Sequence, residues 1–192
     1  MASYVPRSPC CYWFTGLPAA GKSTLANRVQ ELLLGHAVPS SVLDGDVLRT
    51  GLNSDLGFSA TDRAQSVRRA SEVARLMVEA ELVTLVSLVS PYRADRLAAR
   101  QRFAPGRFFE VYVKTDLQTC VTRDPKGLYR RAMTGDIPNL TGWNDPYEEP
   151  DSPDFVVETP ATTVEVAAQR IVHHFLQGAP VRPVVHPSSQ LT

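Results

Sequence analysis

The sequence predicts a three-layer α/β/α domain, helices covering both faces of a parallel sheet, and three observations lead there. Short β-rich runs alternate with helix-length amphipathic segments, the runs are almost continuously apolar, and the first of them ends in a glycine-rich turn that opens a helix. Alternation requires crossover connections, and crossovers join parallel strands. Continuous apolarity marks strands buried on both faces rather than one.

Taken in order, the elements justify that class. "CCYWFT" (10–15) is the first strand, and the segment 22–35 after the turn is a helix. "SSVLD" (40–44) is the second strand. Over 62–81 Val67, Ala70, Val73, Ala74, Met77 and Ala80 recur at helical spacing, with Thr61 or Asp62 available as a cap. "LVTLVSLV" (82–89), a helix over 91–103, "FFEVYV" (108–113), a helix over 116–123 and "DFVVET" (154–159) continue the pattern, and a last helix carries His173 and His174. Residues 124–153 interrupt it with Pro, Gly, Asn and Asp among basic and aromatic residues; so long an irregular segment in a compact domain reads as a lid or binding loop. Residues 1–177 thus form one domain without internal repeats, and the Pro-rich 178–192 is a loosely held tail.

Composition narrows the function. With 43% hydrophobic and 21% charged residues, the 192-residue chain can bury a substantial core. Twenty basic residues balance twenty acidic ones, so no general field draws nucleic acid or an anionic membrane, and any anion site must be local. Seventeen of the basic residues are arginine; only Lys22, Lys114 and Lys126 are lysine, which makes each lysine easy to single out. Cys10, Cys11 and Cys120 suit neither a disulfide framework nor a zinc site and read as buried thiols of a cytoplasmic protein. Neither a secretory signal nor an apolar run of about 18 residues is present. His173 and His174 lack metal-binding partners at suitable spacing and read as surface or packing residues; "YWF" (12–14) reads as strand core.

The turn itself carries chemistry. Gly16-Leu17-Pro18-Ala19-Ala20-Gly21-Lys22-Ser23 fits GxxxxGK[ST], between a strand and a helix as that motif requires. Its backbone N–H groups curl around a β-phosphate and the helix N-terminus adds partial positive charge. Lys22 bridges β and γ phosphates, Ser23 offers a hydroxyl to Mg²⁺, and Ala19, Ala20 and Thr24 complete the ATP-binding set. Without a guanine-reading NKxD motif, and in a chain too short for a motor, a small-molecule kinase is favoured. Asp44 and Asp46 straddle a glycine at the carboxyl end of the second strand, where α/β sheets place ligands. One of them is placed to orient Mg²⁺ or take the acceptor proton. Arg49, Arg63, Arg68 and Arg69 follow, more guanidinium than a helix surface needs; they read as a second anion site or, for Arg68 and Arg69, as a solvated basic face.

Together "GLPAAGKST", "LDGDVLRTGLNSDLGFSATDR", "VSLVSPYRADR", "RDPKGLYRRAMTGDIPNLTG" and "PDFVVET" resemble the adenylylsulfate (APS) kinase family from residue 12 to about 160. The resemblance implies a P-loop nucleoside-triphosphate hydrolase fold of the nucleotide-kinase type, a homodimer, and transfer of the γ-phosphoryl of MgATP to the 3'-hydroxyl of adenosine 5'-phosphosulfate. It assigns Asp46 to Mg²⁺ and the acceptor hydroxyl, and Arg49 and Arg63 to the phosphosulfate nucleotide. Phe58 matches the aromatic that stacks on the acceptor adenine, and Lys126 a lid lysine that contacts substrate. Arg123 falls where P-loop kinases cover ATP. Ser90, next to the acceptor-lining Val89, matches a serine sometimes described as a phosphoserine intermediate, although direct in-line transfer needs none. The chain departs from the family pattern at Val47, at Ser66, which replaces an asparagine that helps hold the acceptor, and at Leu140, which replaces a second adenine-stacking aromatic. Those departures leave two alternatives beside APS: another hydroxylated small molecule as acceptor, or a non-catalytic nucleotide-binding domain.

Overall fold

The computed structural model describes residues 8–178. Five strands, β1 (Cys11–Thr15), β2 (Ser40–Asp44), β3 (Val83–Ser87), β4 (Phe108–Lys114) and β5 (Phe155–Glu158), form one sheet in the order β2-β3-β1-β4-β5. Every pairing is parallel. Seven helices accompany them among the described residues: α1 (Lys22–Gly35), α2 (Gly45–Arg49), α3 (Ala60–Glu79), α4 (Arg93–Arg100), α5 (Leu117–Arg123), α6 (Leu128–Met133) and α7 (Val164–Gln177).

The central strand shows why the layers form. All five β1 residues are buried, and period-two alternation sends Tyr12 and Phe14 to one face of the sheet and Cys11 and Trp13 to the other. Tyr12 and Phe14 meet Leu25, Val29 and Leu33 of α1 and Ile171, Val172 and Phe175 of α7 in one core cluster. Cys11 and Trp13 meet Val67, Ala70, Ala74 and Val78 of α3 and Ala99 of α4 in the other. All three cysteines are free and buried, and burial pushes the Cys10 thiol up to about 12, which keeps it protonated.

Element boundaries differ from the sequence reading for local reasons. Helix α3 begins two residues before the expected 62, because Ser59, not Thr61 or Asp62, is its cap: Ser59 Oγ accepts from the Asp62 N–H at 3.2 Å and donates to Asp62 Oδ2 at 2.7 Å. Strand β3 stops at Ser87, and residues 88–90 leave the sheet to build the site. Helix α4 starts at Arg93, after Pro91 and Tyr92, and ends at Arg100. The segment 124–153 is not wholly irregular, since it contains α6 and a bridge between Thr141 and Asp145. Beyond Gly178 the Pro-rich tail lies outside the described residues, as do residues 1–7.

Of the two last-helix histidines, His174 is a packing residue. Its Nδ1 pairs with the Tyr12 hydroxyl at 2.8 Å, and Phe109 and Phe155 meet its ring edge-on at 4.6 and 4.9 Å. Burial lowers its pKa, against a weaker opposing pull from Asp154. The unfolded chain therefore takes up the proton first as pH falls, so this contribution to stability is complete above about 6.5 and is lost below it. Urea melts at pH values from about 7 down to 5 should show a falling midpoint, and His174→Gln should make that fall shallower.

Candidate active site

The site lies at the carboxyl edge of the sheet, where β1, β2 and β3 deliver their loops into a cavity of about 920 Å³. Residues 18–21 of the loop, with the first residues of α1, form its floor. Gly16 (φ 148°) is required by close approach, since a Cβ there would stand 2.5 Å from the Val113 carbonyl oxygen of β4. Ala19 holds the left-handed region at φ 61°, a strained choice for a residue with a Cβ. No side chain caps α1, so its first N–H groups stay open to an anion.

Lys22 is 9% exposed, and its Nζ donates to the carbonyls of Gly16 at 3.0 Å and Leu17 at 2.8 Å. Burial pulls its pKa down to about 8. Ser23 Oγ donates to Asp44 Oδ2 at 2.5 Å and lies 3.2 Å from Ser87 Oγ. Asp44 also caps α2, its Oδ1 accepting from the Asp46 N–H at 2.9 Å. Asp46 itself is paired with Lys126, which reaches across from the segment 124–153. The DGD stretch thereby splits its carboxylates: Asp44 faces the loop serine and Asp46 faces the cavity's opposite wall. Ser23, Asp44 and Asp46 are hard oxygen donors, a set that fits Mg²⁺.

A second lobe lies beyond Asp46. The Arg49 guanidinium sits 4.1 Å from the centroid of the Phe58 ring and that of Arg63 5.7 Å. Arg63 is buried and donates to the carbonyls of Phe58 at 3.1 Å and Asn139 at 2.6 Å. Asp145 stands 3.4 Å from its Nε, a supporting carboxylate that no motif in the sequence singles out. Ser66 Oγ accepts from Asn53 Nδ2 at 3.0 Å. Ser66, Val89, Ser90 and Leu140 all line the same cavity, as do Arg123 and Lys126. Arg123 rests near Thr159 Oγ1 at 3.3 Å, and Thr24 borders the floor.

Two sequence candidates fall outside the cavity. Arg69 is held by Asp55 at 2.5 and 2.7 Å, and Arg68 donates to Gln65 at 2.8 Å, so both belong to the exposed surface of α3 and its approach. Val47 is likewise exposed, at 66%, because α2 presents Leu48 rather than Val47 to the core. Residues missed in the sequence include Tyr129, fully buried, whose hydroxyl donates to the Pro18 carbonyl at 3.1 Å and anchors α6 on the loop. A Cβ on Gly142 would meet Leu17 Cδ2 at 2.4 Å, a second tight contact between the segment 124–153 and the loop.

Ser90 follows β3 with φ 46° and is 3% exposed. Its Oγ accepts from the Trp13 indole N–H at 3.0 Å, and Arg96 donates to its carbonyl at 2.7 Å. Thr15 Oγ1, 3.0 Å from the Tyr147 hydroxyl, donates to the Val89 carbonyl at 2.7 Å.

A loop shaped for polyphosphate that shares one cavity with a pair of carboxylates and an arginine cluster is the arrangement of a kinase of the P-loop class. The family model for adenylylsulphate kinase matches residues 8–158, and the chain belongs to that family. It is 48% identical over 174 residues to the adenylyl-sulfate kinase of Geotalea uraniireducens, covering 89% of this chain and 84% of that one. A probable adenylyl-sulfate kinase of Bacillus subtilis is 48% identical over 164 residues, covering 85% and 82%. Among solved structures, the Mycobacterium tuberculosis APS kinase CysC in complex with AMPPNP and APS superposes with a TM-score of 0.84 at 43% identity, covering 90% of this chain and 99% of that one.

The low pKa of Lys22 yields a pH dependence with a definite sign. Below about 8 the ammonium is charged and ready to meet phosphate; above it each pH unit removes up to about tenfold of the charged, binding-competent form. Titration calorimetry with ATP should give a Kd that is flat from about pH 7 to 8 and weakens above, and Lys22→Ala should bind weakly with no such inflection.

Proposed function

We propose that this protein transfers the γ-phosphoryl group of ATP to the 3'-hydroxyl of adenosine 5'-phosphosulfate, giving 3'-phosphoadenosine 5'-phosphosulfate. The observation that carries the reading is the two-lobed cavity, with the phosphate loop on one side of Asp44 and Asp46 and the Arg49–Phe58–Arg63 cluster on the other. The second lobe offers two guanidinium groups for a phosphosulfate and an aromatic face for an adenine.

In this reading the open backbone N–H groups of the loop and of the α1 N-terminus hold the β-phosphate of ATP, and Lys22 exchanges the carbonyls of Gly16 and Leu17 for β and γ oxygens. That exchange replaces neutral acceptors by anionic ones and so adds charge–charge attraction to hydrogen bonds whose donor is already charged. Ser23, Asp44 and Asp46 would hold Mg²⁺, which would supply neutralisation of the charge on the transferring phosphoryl group. With Asp44 committed to Ser23 and the α2 N-terminus, Asp46 is the carboxylate left to orient the acceptor hydroxyl and take its proton, once Lys126 turns from it to substrate. Arg123 covers the ATP end, while Ser66, Val89 and Leu140 bound the acceptor. Residues 124–153 act as a lid on a single domain that takes in the described residues up to 177, and closing it excludes water that would otherwise hydrolyse ATP. We assign the protein a homodimeric state and, from its three buried thiols, a cytoplasmic location.

Ser90 serves in positioning rather than as a nucleophile. No carboxylate, amine or imidazole among the described residues hydrogen-bonds its Oγ to receive the proton that attack on phosphorus would release.

Two experiments test these statements. With MgATP, conversion of APS to a product carrying a 3'-phosphate should be lost by about 10²–10³-fold in Lys22→Ala and in Asp46→Asn, the usual cost of removing one group that stabilises transition-state charge. ATP consumption independent of APS, or turnover that prefers another alcohol, overturns the acceptor assignment. Incubation with γ-labelled ATP in the absence of acceptor should leave no stable label on the protein, and a phosphopeptide containing Ser90 contradicts direct transfer.

A further inference from the structure

The hydroxyl of Ser90 has one proton and two lone pairs, and its surroundings decide how they are used. The indole N–H of Trp13 points at Oγ from 3.0 Å and can only donate, so it occupies one lone pair and turns the Ser90 O–H away from itself. No described residue accepts that proton, and Ser90 forms part of the cavity wall. The site therefore holds a buried donor whose open direction is the cavity.

Neither partner is free to turn. Trp13 is 0% exposed, lies in the central strand paired with Val86 and Glu110, and its ring stacks on Phe108 at 5.8 Å. The Ser90 backbone is held in its left-handed conformation by Arg96, itself fixed by Glu110 Oε1 at 2.6 Å and the Glu148 carbonyl at 2.7 Å. Strain of this kind persists only where the surroundings over-determine it.

We propose that Trp13 is a positioning residue for phosphoryl transfer, its indole N–H fixing the Ser90 hydroxyl as a donor to an anionic phosphoryl or sulfuryl oxygen of the bound substrates. The proposal rests on the kinase reading above and on Ser90 facing substrate, but it assigns a task to a fully buried tryptophan that does not line the cavity. It predicts coupling: Trp13 matters to catalysis only while the Ser90 hydroxyl is present.

A double-mutant cycle measures that coupling. Trp13→Phe and Ser90→Ala, assayed with MgATP and APS, should each lower kcat/KM by about three- to tenfold, the range for one lost buried hydrogen bond. The double variant should be within about twofold of Ser90→Ala alone. A loss in the KM for APS puts the donated proton on the acceptor, and a loss in kcat alone puts it on the transferring phosphoryl group. Equal penalties for Trp13→Phe in both backgrounds, or none in either, overturn the proposal. Ser90→Ala with undiminished kcat/KM removes Ser90 from the machinery and the proposal with it, while leaving the kinase assignment standing. If Trp13→Phe does not fold, or APS is not turned over, the contact is read directly by ¹H–¹⁵N NMR. The chain has two tryptophans, and Trp143→Phe assigns their indole signals. In Ser90→Ala the Trp13 N–H should move upfield and exchange faster with solvent, and adding AMPPNP with APS should shift it only when Ser90 is present. An indole signal indifferent to Ser90→Ala and to the ligands overturns the proposal.

Discussion

Burial of the central strand on both faces is the constraint on which the rest depends. Five consecutive residues, Cys11 to Thr15, lose all contact with water, and each large one is worth roughly 1.5–3 kcal/mol of apolar burial. That placement fixes β1 between β3 and β4, and so fixes where three functional features must emerge. The phosphate loop begins one residue past its end, at Gly16, pressed against the backbone of β4. Thr15 reaches sideways to the chain leaving β3, and Trp13 reaches from inside the core to Ser90.

Around this strand, charge is organised by arginine rather than diluted by solvent. Arg96 is 3% exposed and satisfies Glu110, the Ser90 carbonyl and the Glu148 carbonyl together. A buried ion pair is costly to desolvate and need not add stability, but removing one partner leaves an uncompensated charge. Its visible consequence here is geometric, since it joins α4, β4, the loop after β3 and the far end of the segment 124–153. Arg63 does the same on the far side of the cavity, held between Phe58, Asn139 and Asp145. An Arg fork reaching three elements locates a loop in a way that a lysine cannot.

The segment 124–153 is bound to the phosphate loop through apolar and neutral contacts, Tyr129 on Pro18 and Gly142 on Leu17, and to the catalytic side through the exposed pair Lys126–Asp46. The first kind of contact survives changes in bound charge, while an exposed ion pair is weak and exchanges readily. The segment is thus tied to the loop at Pro18 and Leu17 and to Arg63 and Arg96 through Asn139, Asp145 and Glu148, while its contact with Asp46 is the exposed pair alone.

Much of this was legible in one dimension because it depends on local pattern. Apolar continuity marked the strands, glycine spacing marked the loop, and Lys22, Ser23, Asp46, Arg49, Phe58 and Arg63 stand in the motifs where chemistry would look for them. The cap of α3 slipped to Ser59 because Thr61 and Asp62 are equally plausible from composition, and only backbone geometry distinguishes them. For Arg68 and Arg69 a second anion site and a solvated face both stayed open, because helical position alone does not say which face meets the cavity; the structure pairs them with Gln65 and Asp55. The sequence by itself determined the layered α/β class, the phosphate loop and the family, since these reside in the periodicity and order of neighbouring residues. The tertiary structure alone decided which aspartate meets Ser23, that Asp145 backs Arg63, and that a buried indole touches Ser90 across 77 positions of chain. Those relations are distances between elements, and no spacing along the chain encodes them until the sheet brings its strands side by side.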